Sequence, residues 1–228
     1  MLAEDLKPNR LEAAKDVAAE FINGRPNDNI GITLFAGETF TQCPLTVDHA
    51  VLLDMIHNIK CGLIEDGPAV GMGIANAVTR LKDSKAKSKV IILLTDGTNN
   101  KGDISPLTAA EIAKSFGIRV YTIGVGTNGM APYPYPVGNT VQYVSMPVEI
   151  DEKTLTEIAG TTDGNYFRAT SNSKLKEVYE EIDKLEKTKL NVKEYSKRDE
   201  EYHWFALAAF LCVLLEVLLR NSVLKKIP

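Results

Sequence analysis

The sequence has little from which an enzyme or a nucleic-acid surface is usually built. Its 228 residues include three histidines, three cysteines and one tryptophan. His49, His57 and His203 are scattered, and none lies in sequence beside a Ser or Cys nucleophile, so no catalytic relay is expected and the chain reads as non-enzymatic. A formal net charge of -4 gives no electrostatic attraction for nucleic acid, and no run interleaves Lys and Arg with aromatics. Nucleic acid is therefore not an expected partner. Three cysteines fall short of a disulfide framework. Cys43 and Cys61 flank one predicted helix and admit two readings, a bridge or two small apolar groups. Cys212 sits in an apolar C-terminal segment and cannot complete a set.

What the chain does have is a dense apolar run that stops at an acid: Val90-Ile91-Ile92-Leu93-Leu94-Thr95-Asp96-Gly97. Strands covered on both faces read as continuous Val/Ile/Leu runs, and ligands of open α/β sheets sit beyond the strands' carboxyl ends. Asp96 is thus placed where ligands bind. Composition, 44% hydrophobic and 25% charged, fits one globular domain with something added.

Helices and strands alternate along the domain. Leu11, Ala14, Ala18, Phe21 and Ile22 recur at helical spacing, which predicts a helix from about Asn9 to Asn23 with Gly24 as its stop. Ile30–Ala36 and Thr39–Cys43 read as a hairpin-like strand pair. Asp48 caps a helix carrying Val51, Leu52, Met55, Ile56 and Ile59. Ala69–Leu81 is helical, and Gly71 and Gly73 within it suggest close backbone packing. Ser105-Pro106 opens a helix to Phe116 with Gly117 beyond it. Arg119–Gly124 is a strand, Asp151 caps a helix ending at Gly160, Asn165–Ala169 is a strand, and Ser173–Lys189 is a long charged helix. This alternation predicts an α/β sheet flanked by helices.

Gly124-Val125-Gly126-Thr127-Asn128-Gly129 fits the dinucleotide fingerprint directly after a strand. A nucleotide site needs a helix N-terminus there, and Pro132, Pro134 and Pro136 forbid one. Residues 127–150 read instead as an inserted loop with a hairpin around Gly138-Asn139. Tyr133, Tyr135 and Tyr143 in it either present an aromatic contact surface or cover the domain's own flank.

Near the C-terminus, residues 203–220 run from His203-Trp204-Phe205 through an apolar stretch interrupted by Glu216. About 20 mostly apolar residues span a bilayer, with aromatics at the interface. A transmembrane helix is expected, with Glu216 paired to Arg220 four residues on. A linker (189–202) precedes it and a basic tail (221–228) follows.

Ile30–Ala36, Asp66-Gly67-Pro68-Ala69-Val70-Gly71, the Asp96 strand and Arg119–Gly126 together resemble a von Willebrand factor A (VWA) domain over roughly residues 2 to 188, and within that family the BatA-type aerotolerance proteins of bacteria. The resemblance implies a VWA (Rossmann-like) sheet and a metal-ion-dependent adhesion site built from a D-x-S-x-S sequence, a Thr and an Asp-Gly. Only Asp96-Gly97 matches intact. Pro68 stands at the Thr position, and Met1-Leu2-Ala3-Glu4-Asp5 resembles what directly follows D-x-S-x-S. Mg²⁺, which prefers several hard oxygen ligands, is therefore expected to bind weakly or not at all, and the family's first, central strand is expected to be missing. The resemblance further implies a membrane-anchored interaction module at the bacterial inner membrane, single-pass in this chain, with the domain in the periplasm. Other envelope proteins, including related VWA membrane proteins, are the expected partners, met by Asp66, Gly67, Thr98, Asn99, Tyr133 and Tyr135. The rival readings are a nucleotide-dependent α/β enzyme using Gly124–Gly129, a divalent-metal enzyme using Asp66 and Asp96, or a non-functional fragment of a longer protein.

Overall fold

The computed structural model describes residues 1–62, 67, 69–97, 102–138, 140–195, 206–211, 213, 216, 217 and 219. Two units divide the chain, Met1–Glu186 and Lys187–Pro228.

Local signals in the sequence set most boundaries of the first unit. Helix α1 (Arg10–Asn23) begins where the Asn9 side chain accepts the Glu12 N–H at 2.9 Å. The Asp48 carboxylate accepts the Val51 N–H and starts α2 (His49–His57). Ser105 caps α4 (Pro106–Ser115), which has Pro at its first turn, where the missing N–H costs nothing. Gly117, at φ +65, ends that helix. Asp151 caps α5 (Glu152–Thr161).

Strands β3 (Lys89–Thr95), β4 (Ile118–Val125) and β7 (Tyr166–Ala169) form a parallel sheet in the order β3-β4-β7. The period-2 alternation sends Ile91, Leu93, Ile118 and Val120 to one face, against Val70, Ile74 and Val78 of α3 (Val70–Leu81) and the alanines of α4. The opposite face, with Tyr121, Ile123 and Val125, packs on Ala13 and Val17 of α1 and on Leu175, Val178 and Ile182 of α6 (Asn172–Tyr195). Both faces are covered, as the apolar strand sequences require.

Strands β1 (Ile30–Phe35) and β2 (Thr39–Thr46) form a separate antiparallel pair. Ile30 and Ile32 lie over Ile22, Leu52 and Ile56, while Phe35 packs with α3. Helices α1 and α3 thus pack on both β3 and β1. Among the described residues β1 shares no ladder with β3. Strand β2 runs three residues past Cys43, and a ladder irregularity between Ile30 and Ile32 carries it across Pro44, which cannot donate.

Gly71 and Gly73 bear out the close packing expected of them. A Cβ on Gly71 would lie 2.0 Å from the Ile104 carbonyl oxygen, and one on Gly73 would lie 2.9 Å from the Phe35 ring. The Gly71 neighbour is backbone and cannot swing aside. Gly71→Ala is expected to lower stability by roughly 2–3 kcal/mol, the upper range for overpacking. Urea unfolding checks this, and an unchanged midpoint would contradict it.

The inserted segment folds as the expected hairpin, β5 (Met130–Val137) with β6 (Thr140–Pro147). Because a strand and not a helix follows Gly124–Gly129, the dinucleotide reading of that motif fails. No disulfide joins Cys43 to Cys61, so the bridge is not formed; Cys43 is buried beside Leu52 and Ile56, and Cys61 is exposed. In the C-terminal unit the described residues between 206 and 219 are helical and exposed. Much of the expected transmembrane segment lies outside the described residues. Among those described, no helix is long and apolar enough to cross a membrane.

Candidate functional site

Because β3, β4 and β7 run parallel, the residues that follow them emerge at one sheet edge. Asp96 follows β3, Gly126-Thr127 follows β4, and Thr170 follows β7. The N-terminal segment crosses this edge before α1. It is fixed at Lys7, whose N–H and carbonyl both bond the Asn172 side chain at the start of α6.

A buried ion network results. Arg10, 4% exposed, grips Asp5 with two parallel bonds, Nε to Oδ1 and Nη2 to Oδ2, each 2.8 Å. The Asp5 Oδ2 also accepts the Thr127 N–H at 2.7 Å. Arg10 Nη1 reaches Asp96 Oδ2 at 3.2 Å, and the Met1 amino group contacts the same oxygen. Burial tends to raise the Asp5 pKa, but the Arg10 guanidinium and the Thr127 N–H outweigh it and hold the carboxyl below its ordinary range. Burial likewise opposes the charge on Arg10, yet Asp5 and Asp96 push its pKa up. Gly126, at φ +144, makes room for the guanidinium, since a Cβ there would lie 2.6 Å from Nη2. The second glycine of the discounted motif therefore serves an arginine rather than a pyrophosphate. Arg168 braces the same edge, donating to the carbonyls of Gly126 and Thr127 and to Glu152.

Of the residues expected at the site, Asp96 lies at the edge, one-quarter exposed. Gly67 is described, with φ +132. Asp66, Pro68, Thr98 and Asn99 lie outside the described residues. Tyr133 and Tyr135 stand on one face of β5, Tyr135 exposed and Tyr133 half-buried. Their hairpin is joined to the N-terminal segment where the Glu4 N–H donates to the Pro132 carbonyl and the Tyr143 hydroxyl donates to Glu4. Arg10 and Arg168 were not anticipated. Asp5 belongs to the segment that carries the resemblance, with no site role read from it. An acid and an arginine five residues apart around Pro8 and the Asn9 cap are the sole local hint, because the guanidinium's other partners, Asp96 and Gly126, are far away in sequence.

The described donor set does not fit Mg²⁺. The ion calls for near-octahedral hard oxygens, whereas the Asp96 carboxylate is already met by two cationic groups. Among the described residues no group of three or more His, Cys, Asp or Glu side chains is arranged to hold a metal.

A second buried acid secures α6. Glu186 accepts from the Tyr121 hydroxyl at 2.6 Å, from Ser88 at 2.9 Å and from Arg119. Burial raises its pKa, but these bonds and the Arg119 charge bring it below the ordinary 4.5. A carboxyl with a depressed native pKa contributes stability that is present above 4.5 and lost as pH falls through the native value. Glu186→Gln should therefore flatten the acid limb of stability against pH below 4.5, measured by urea unfolding at several pH values. An unaltered acid limb would contradict the role given to this carboxylate.

Comparison with known proteins agrees with this geometry. The von Willebrand factor type A domain family matches residues 2–181. BatB from Bacteroides thetaiotaomicron is 33% identical, with a TM-score of 0.71 over 82% of this chain and 93% of that one. An aerotolerance-related membrane protein from Bacteroides fragilis is 30% identical, with a TM-score of 0.70 over 81% and 91%. An uncharacterized protein of Borreliella burgdorferi is 27% identical over 96% of this chain, which spans 64% of that relative's length. The matched residues 2–181 span the parallel β3-β4-β7 sheet and both of its helical layers, and the chain belongs to the von Willebrand factor type A domain family, among the BatA-type aerotolerance-related proteins.

Proposed function

We propose that the chain is a membrane-anchored VWA interaction module of the bacterial cell envelope that meets protein partners at the carboxyl edge of β3, β4 and β7 without a divalent ion. The observation that carries this reading is the state of Asp96. Its carboxylate is neutralised by Arg10, which is itself locked by Asp5, so the edge is an assembled, rigid surface and not an open ligand sphere. Rigid supports favour recognition because little is left to order on binding. The proposed contact surface comprises Asp66, Gly67, Thr98 and Asn99, together with Tyr133 and Tyr135 of the hairpin joined to the N-terminal segment. Residues 203–220 supply the anchor, in keeping with the membrane proteins among its similar structures.

Site-specific photo-crosslinking in cells tests the reading. A crosslinker at Asn99 is expected to give protein adducts in the membrane fraction that persist in chelator, while one at the exposed Lys82 on the far side of α3 gives none. Adducts at Asn99 that vanish with chelator, or no adducts specific to the edge, would refute a metal-independent edge contact.

A further inference from the structure

The β5–β6 hairpin carries an unguarded strand edge. In an antiparallel ladder a residue's N–H and C=O point to the same side, and successive residues alternate. The Pro132 carbonyl accepts from Glu4, outside the hairpin, whereas the Gly129 carbonyl accepts from Val148 within it. The even residues of β5 therefore face outward and the odd ones face β6. Pro132, Pro134 and Pro136 are all even, so the outer edge of β5 lacks their three donors and is further occupied by Glu4. Register pairs these prolines with Ser145, Tyr143 and Val141. Those three residues of β6 hence turn their own N–H and C=O groups outward, with no proline among them, and among the described residues no backbone group bonds them from outside the hairpin.

Sheet proteins ordinarily guard such an edge with charge, proline or cover. Residues 130–147 contain no Asp, Glu, Lys or Arg. Val141, Tyr143, Val144 and Met146 are between 47% and 60% exposed. We infer that β6 is a homodimer interface, in which two copies pair their β6 edges antiparallel about a two-fold axis at Tyr143, giving one four-stranded sheet. The second copy is the occupant because the edge is complementary to itself. About that axis Tyr143 pairs with Tyr143, and Val141 with Ser145, each pair exchanging both backbone bonds. A two-fold contact sets like residues near like, which a charged strand would resist and this uncharged one does not. Proline on β5 closes the far edge, so pairing stops at two and does not grow into a fibre.

Sedimentation velocity of the full chain in detergent, over a wide range of concentration, tests this. Ser145→Pro removes one outward donor without touching a bond to β5, and Val141→Lys adds charge at an exposed side chain. The wild type is expected to dimerise, and each variant to do so roughly tenfold more weakly or not at all, with unchanged circular dichroism. A wild type that stays monomeric throughout overturns the inference. So does a dimer that persists in Val141→Lys, which would place the contact elsewhere, including the apolar C-terminal segment.

Discussion

Arg10→Ala is expected to destabilise the domain by roughly 3–5 kcal/mol, the range for removing one partner of a buried ion pair. The substitution leaves the Asp5 carboxylate, whose side chain is 4% exposed, with the Thr127 N–H but without its two charged bonds. It also strips Asp96 of its guanidinium and opens a cavity beside Gly126. The loss belongs to the unpaired acid more than to the missing base. A double variant, Asp5→Asn with Arg10→Met, is therefore expected to recover a large part of the stability, because an uncharged pair of similar volume avoids the desolvation penalty. Denaturant unfolding of the two variants reads this directly. Equal destabilisation by the single and the double change would mean that packing, and not charge, holds the N-terminal segment on the sheet edge.

The second large effect concerns the slot between β1 and β3. Helices α1 and α3 pack on both strands, yet among the described residues the two share no ladder. Val90, Ile92 and Leu94 of β3 are only partly buried, although Val90–Leu94 is an unbroken apolar run. Among the described residues β1 pairs only with β2 and β3 only with β4, so a slot between them suits an extended apolar segment. Extending the chain upstream of Met1 with an apolar strand is expected to raise stability by several kcal/mol. Completing the burial of three half-buried side chains alone is worth about 2–4 kcal/mol at ordinary transfer values. The extension removes the Met1 amine from Asp96 but leaves Arg10 in place. A control extension of equal length with alternating charged residues should give no gain. Equal unfolding midpoints for the apolar extension and the unextended chain would mean that the slot admits no strand.

Much of this architecture could be read from local sequence signals. Asp48, Ser105-Pro106 and Asp151 mark helix starts because their side chains satisfy N–H groups a few residues away. Val90–Leu94 marks a doubly covered strand because only such a strand tolerates unbroken apolar residues. Gly71 and Gly73 signal a tight helix contact for the same local reason. Signals that depend on distant partners were not legible. The strand ending predicted at Cys43 fails because β2 takes an extra residue around Pro44, and such a bulge is set by pairing with β1 and not by one strand alone. The long helix outruns its predicted end at Lys189, reaching Tyr195. Arg10 looks like one more charged residue on an amphipathic helix, and its burial is set by an aspartate 86 positions away and by a glycine with no side chain. The site was therefore half-visible. Its acid follows from strand chemistry, whereas its base follows from tertiary contacts.

The central claim is that Asp96 is satisfied by the chain's own cations, so that this edge works without a divalent ion. Isothermal titration calorimetry of the full chain in detergent with Mg²⁺ and Mn²⁺ addresses it most directly, beside a version carrying an upstream strand ending in D-x-S-x-S together with Pro68→Thr. No saturable heat is expected from the chain as it stands, and binding is expected in the altered version, where additional oxygen ligands compete with Arg10 for the ion site. Saturable binding of either ion to the unaltered chain, abolished by Asp96→Ala, would contradict the account.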